Sequence, residues 1–149
     1  MNPNMTPLPS GYTHVRHTFE PVFDERSRIL ILGSFPSVKS RENQFYYGHP
    51  QNRFWKLMAL LLNVPVPQST DEKKTMLLTH GLALWDVITS CDIKGSSDSS
   101  IKNAVPADIS RILKAANIQT IIANGGTAFR LYRRYCEPVT GRPAALCPS

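Results

Sequence analysis

Arg28-Ile29-Leu30-Ile31-Leu32 runs straight into Gly33-Ser34-Phe35-Pro36-Ser37. The first half has the length and Ile/Leu content of a buried parallel strand, and the second is a tight turn at its carboxyl end. Open α/β folds place ligands in such turns. Nine residues on, Tyr46-Tyr47-Gly48-His49-Pro50-Gln51-Asn52-Arg53-Phe54-Trp55 adds aromatics, an imidazole and an amide, which together suit a loop that holds a flat ring.

Outward from this pair, the pattern alternates strand and helix. Phe54, Trp55, Met58, Leu61 and Leu62 recur at helical spacing and predict a helix with one apolar face, ending before Pro65; the plain reading of Phe54 and Trp55 is core packing. Ser69-Thr70-Asp71-Glu72 fits a capping box that opens a second helix to about His80, stopped by Gly81. Leu82 to Ile88 reads as a second strand, running through Thr89-Ser90-Cys91-Asp92 into a surface loop at Gly95 to Ser100. Pro106 is expected to start a third helix through Ala116, Gln119 to Ala123 to form a third strand, and Thr127 to Tyr135 a fourth helix. Ala144 to Ser149 looks like a fourth strand with no covering helix after it. The alternation predicts a parallel sheet between helices.

The 149 residues suit one domain, loose over residues 1–16, with His17 to Phe23 supplying apolar residues to pin the N-terminal segment. With 42% hydrophobic residues the chain can build a single core. A formal charge of +6 favours a polyanionic partner, nucleic acid ahead of membrane. No apolar stretch approaches the roughly 20 residues of a membrane span, and the N-terminus has no signal-peptide core. Cys91, Cys136 and Cys147 lack CxxC spacing, so reduced thiols in a cytoplasmic protein are expected. His14, His17, His49 and His80 form no ligand spacing with them, and neither a metal nor a cofactor is implied.

Gly33 to Ser37 together with Tyr47 to Trp55 resembles the hypoxanthine-DNA glycosylase branch, family 6, of the uracil-DNA glycosylase superfamily. The likeness extends through Ala83 to Val87, Gly95 to Ile101 and Asn124 to Phe129, and covers most of the chain from His17 onward. His49-Pro50-Gln51-Asn52-Arg53-Phe54-Trp55 also reproduces the H-P-x-N-R-F-W element of the mismatch-specific uracil glycosylases. The resemblance implies a three-layer α/β/α fold with a four-stranded parallel sheet. It also implies hydrolysis of the N-glycosidic bond of deaminated bases in DNA, hypoxanthine first and uracil second, by a monomer. The superfamily commonly has Asp or Asn two residues after the opening glycine, where this chain has Phe35, so the polar work must move elsewhere. Asn52 stands where the hypoxanthine branch has its catalytic amide. Relatives continue past Pro148-Ser149 into a second motif containing Ser-Pro, so the chain is expected to be shortened at its end. A binding module that holds damaged DNA without cleaving it is the alternative.

A glycosylase must extrude its nucleotide and hold the base. Tyr47, by its aligned position, is the candidate to stack on the flipped ring, with Phe35 as a second wall or simply a buried residue. Asn52 can position water or hydrogen-bond the departing purine, and it can equally cap the following helix. His49 reads either as a donor to phosphate or base or as a loop-fixing residue. Asn124 is either near the base or a turn residue. Ser34 and Ser37 resemble phosphate-gripping hydroxyls. Asp86 reads as a structural hydrogen-bond acceptor, Asp98 as a cap or turn residue, and Arg130, Arg133 and Arg134 as a solvated face. A Schiff-base lyase needs an amine, and Lys39 near the motif has no apolar setting to lower its pKa, so a monofunctional enzyme is expected. An α/β enzyme on a free nucleotide would want a G-x-G-x-x-G or Walker loop, which the chain lacks.

Overall fold

The computed structural model describes residues 10–48 and 52–147. Four strands pair in parallel: β2 (Ile29–Gly33), β3 (Leu82–Asp86), β6 (Thr120–Asn124) and β7 (Ala145–Cys147), in the order β3-β2-β6-β7. The register sets Leu32 beside Trp85 and Ala123, and Gly33 beside Asp86. The Ile/Leu run builds the centre of this sheet because both of its faces are covered: Leu30, Leu32, Ala83, Leu84 and Ala123 are inaccessible to solvent. The chain leaves β2 for one neighbour, β3, and later returns to the other side through β6. The crevice at the carboxyl end of β2 therefore lies at the point where strand order reverses.

Helices α1 (Val38–Asn43), α2 (Phe54–Leu62), α3 (Thr70–Thr79), α4 (Ser110–Ala115), α5 (Gly126–Leu131) and α6 (Glu137–Thr140) complete the α/β architecture. The expected cap of α3 forms, with Ser69 Oγ accepting from Glu72 N–H at 3.1 Å; the Glu72 carboxylate reaches Gln68 N–H. In α2, Trp55 and Ala59 face the core while Leu61 is 69% exposed, so the apolar face is narrower than the spacing predicts. The fourth expected helix breaks into α5, a π-turn over Tyr132–Cys136, and α6. Pro138 explains the break: it has no N–H to give, and its ring crowds the carbonyl four residues back, at Arg134.

The sequence reading missed a second sheet. β1 (Thr13–Arg16), β4 (Ile88–Ile93) and β5 (Lys102–Pro106) form an antiparallel sheet in the order β1-β4-β5. The strand expected over Leu82 to Ile88 is cut after Asp86, and Thr89 to Asp92 lie in β4 rather than a loop. Pro106 ends a strand instead of opening a helix, and α4 starts at Ser110. Part of the N-terminal segment expected to be loose is β1, and Val22 further pins it through a bridge to Leu84. Polar side chains sit inside this sheet because each finds a partner. Asp92 accepts from Asn103 Nδ2 and pairs with His14 Nδ1, both at 2.8 Å, and these hydrogen bonds hold its carboxyl below the usual carboxylate range.

Candidate active site

The carboxyl ends of β2, β3 and β6 enclose a cavity of about 240 Å³. That is close to the lower end of small-molecule sites, roughly 300 Å³, and suits a single base. Gly33 to Ser37 form one wall, Asp86 and Asn124 come from the neighbouring strand ends, and Tyr47 and Asn52 come from the loop between α1 and α2. Val87 N–H donates to Gly33 O and Ile88 N–H to Ser34 O, which ties the turn after β2 to the bend where the chain passes into the second sheet.

Phe35 is 7% exposed and lines the cavity, with its edge toward His17 at 6.2 Å between ring centroids. Tyr47 adopts φ 54°, a left-handed conformation uncommon for a bulky residue. Its ring is stacked on Phe54 at 4.1 Å, and its hydroxyl accepts from Asn124 Nδ2 at 3.2 Å. Burial, with the nearby Asp86 charge adding to it, pushes the Tyr47 phenol well above its ordinary range, so it stays neutral. Phe54 is therefore more than core filling: it backs the aromatic wall.

Asn52 Oδ1 accepts from Phe54 N–H at 2.9 Å, an Asx-type turn one residue ahead of the N-cap Arg53 rather than the expected cap, and the residue also lines the cavity. Its two amide hydrogens make no bond to another described residue, so this turn leaves its donor side free. Asn124 is the last residue of β6, and its amide fixes the Tyr47 hydroxyl. Ser34 Oγ donates to Asp98 Oδ1 at 2.9 Å. Ser37 Oγ caps α1 through Ser40 N–H and donates to Ser40 Oγ, both at 3.1 Å. Ser34 and Ser37 both line the cavity, each with its hydroxyl proton engaged. His49 lies outside the described residues.

The structure brings to the cavity polar groups that the sequence reading had left out of the site, among them Asp98, Ser40 and Asp86. Asp98 reaches the cavity from the loop after β4. Desolvation raises its carboxyl, the Ser34 hydrogen bond counters this, and the Asp86 charge raises it further. Ser40 joins α1 to the motif loop by accepting from Gly48 N–H at 2.8 Å. Asp86 does act as a hydrogen-bond acceptor, as expected, but its partner is His17 Nε2 at 2.8 Å and its carboxylate forms part of the cavity lining. Nothing in the spacing could join residues 17 and 86; only β1 and the bend at Val87 bring them together. Arg130, Arg133 and Arg134 are exposed, and the positive charge of Arg130 acts against the rise at Asp98.

No helix of the described residues is long and apolar enough to cross a membrane, and no group of three or more His, Cys, Asp or Glu among them could hold a metal ion. The model of the uracil DNA glycosylase superfamily matches residues 20–146. A hypoxanthine DNA glycosylase of Methanosarcina acetivorans is 36% identical over 116 residues, which is 76% of this chain and 73% of the relative. One from Methanosarcina barkeri is 36% identical over 110 residues, 72% and 69% of the two chains. Among solved structures, the solution NMR structure of a Methanosarcina acetivorans protein provisionally assigned as a uracil DNA glycosylase superposes with a TM-score of 0.75 at 32% identity, covering 88% of this chain and 81% of that one. The cavity at the switch point of a parallel sheet and the family match over most of the chain agree: the protein belongs to the uracil DNA glycosylase superfamily and is a DNA glycosylase.

Proposed function

We propose that this chain removes hypoxanthine from DNA by hydrolysing its N-glycosidic bond, with uracil as a weaker second substrate. The observation that carries the reading is a base-sized cavity with one aromatic wall, Tyr47 on Phe54, and a free amide donor, Asn52, at its rim. The relatives named as hypoxanthine DNA glycosylases support the choice of base. The chemistry follows from what the lining offers. Phe35 stands where an activating side chain would be needed in the first motif, so attack by water is weakly assisted. The bond to the base therefore breaks ahead of water addition, the sugar takes on oxocarbenium character, and charge develops on the departing purine.

Asn52 Nδ2 donates to that purine as its charge grows, a hydrogen bond stronger in the transition state than in the ground state. Tyr47 stacks on the ring, Phe35 forms the opposing wall, and Asn124 and His49 complete base recognition. Ser34 and Ser37 shape the turn whose backbone N–H groups meet the DNA phosphates, their own hydroxyl protons being held by Asp98 and Ser40. Described lining residues include no lysine, which supports hydrolysis without a Schiff base. The proposed active form is a monomer acting on flipped-out bases.

The test is alkaline strand cleavage of a duplex carrying one deoxyinosine, with the chain and its Asn52→Ala variant. Cleavage by the chain with at least about 100-fold loss in the variant, the scale of one lost oxyanion-type donor, is expected. Tight binding of the duplex with no base release would instead establish a binding module.

A further inference from the structure

Asp86 lines the cavity and has no part in the stacking or in the role given to Asn52. It ends β3 at the switch point and is 3% exposed. Oδ2 takes the Nε2–H of His17, whose side chain is only 2% exposed and packs against Phe19, with 4.3 Å between ring centroids. A carboxylate in such surroundings is expensive to desolvate, and a single histidine satisfies one oxygen only. Oδ1 has no hydrogen-bond partner among the described residues. It lies so close to Gly33 that a Cβ there would collide with it, and the residue is part of the cavity lining. An acceptor open to a cavity sized for one base, with no protein donor among the described residues, is half of a hydrogen bond whose other half is the ligand.

An ionised carboxylate can only accept. Deaminated bases share a ring N–H beside a carbonyl: N1–H in hypoxanthine and xanthine, N3–H in uracil. Adenine and cytosine carry a bare ring nitrogen at that place, and its lone pair would face the carboxylate with no hydrogen between them. On the glycosylase reading given above, we propose that Asp86, oriented by His17, accepts the lactam N–H of the flipped base and thereby separates deaminated bases from adenine and cytosine. A site built around a buried hydrogen bond rejects a ligand that leaves it unpaired far better than shape alone does. Guanine and thymine carry the same ring N–H beside a carbonyl, so this contact separates deaminated bases from adenine and cytosine alone.

Asp86→Asn tests the assignment. The amide oxygen continues to accept from His17, while the amide nitrogen turns a donor toward the base. Relative to the unsubstituted chain, kcat/KM on a deoxyinosine duplex should fall about 10- to 100-fold, the size of one hydrogen bond to a charged group. The preference for deoxyinosine over deoxyadenosine should shrink by at least that factor, with an unchanged melting temperature as the control for folding. A second measurement needs no variant: binding of the unsubstituted chain to uncleavable 2′-fluoroarabino duplexes carrying hypoxanthine or 1-methylhypoxanthine. Methylation of N1 should weaken binding about 10- to 100-fold, and in Asp86→Ala it should cost less than about 3-fold.

An Asp86→Asn enzyme that keeps its preference between the two bases, or equal binding of the two uncleavable duplexes, overturns the proposal. Discrimination in binding without release of hypoxanthine leaves the lactam site standing and removes only the glycosylase reading. Release without discrimination does the reverse.

Discussion

The two sheets use opposite materials. The centre of the parallel sheet is built from Ile, Leu and Ala with both faces covered, and Asp86, Asn124 and the Gly33 to Ser37 turn meet at its carboxyl end. The antiparallel sheet carries its polar groups within the strands and neutralises them there, as His14 and Asn103 do for Asp92. One sheet leaves hydrogen-bonding capacity open at a crevice; the other closes it. Open capacity is what a ligand can use, so the chemistry belongs to the first sheet and the second acts as a brace. It also delivers His17, just after β1, to Asp86, and Asp98, on the connection between β4 and β5, to the cavity.

Substitutions can break this contrast. The largest effect is expected from Gly33→Ala, because the added Cβ would collide with Asp86 Oδ1 and sit 3.1 Å from the Tyr47 hydroxyl. Overpacking at this depth should cost about 1–3 kcal/mol by chemical denaturation, and base release should fall with it. Tyr47→Ala should lower kcat/KM on deoxyinosine by the loss of about 1–3 kcal/mol of stacking. Tyr47→Phe, which keeps the ring on Phe54 and loses only the bond from Asn124, should cost about 1 kcal/mol.

The brace should respond differently. Asn103→Ala removes one donor from Asp92 and should cost about 1 kcal/mol of stability with single-turnover excision unchanged. The pH dependence has a definite sign. The folded carboxyl of Asp92 is held below its unfolded value of about 3.9, so its contribution is complete above that value and disappears as pH falls through the folded one. The stability gap between the chain and Asn103→Ala should therefore be constant near neutrality and narrow in acid, leaving the strain of alanine at the left-handed φ of 52°. Smallest of all, Leu61→Gln on the exposed side of α2 should stay within about 0.5 kcal/mol.

These contrasts also explain what could be read from the sequence. The parallel sheet was legible because Ile29 to Leu32 and Leu82 to Leu84 are buried on both faces and leave an unbroken apolar signal. Its sister sheet was not, since Ile88-Thr89-Ser90-Cys91-Asp92-Ile93 and Lys102-Asn103-Ala104-Val105-Pro106 carry polar residues whose partners lie on other strands. Pro106 illustrates the ambiguity: proline suits a helix start and a strand end equally, and tertiary pairing with Ile88 decided it. Phe35 and Asn124 could be placed because each stands at the carboxyl end of a buried strand, and Tyr47 and Asn52 because the motif ahead of α2 resembles that of the family. His17 could not, for its position depends on the pairing of Thr13–Arg16 with Ser90 to Ile93, and its bond to Asp86 spans 69 residues.

The most direct test of the contrast is single-turnover release of free hypoxanthine from one deoxyinosine duplex by Asn52→Ala and Asn103→Ala, measured side by side at neutral pH. The account predicts a loss of at least about 100-fold in the first and a change within about 3-fold in the second. Comparable losses in both, or retention of activity in Asn52→Ala, would contradict it.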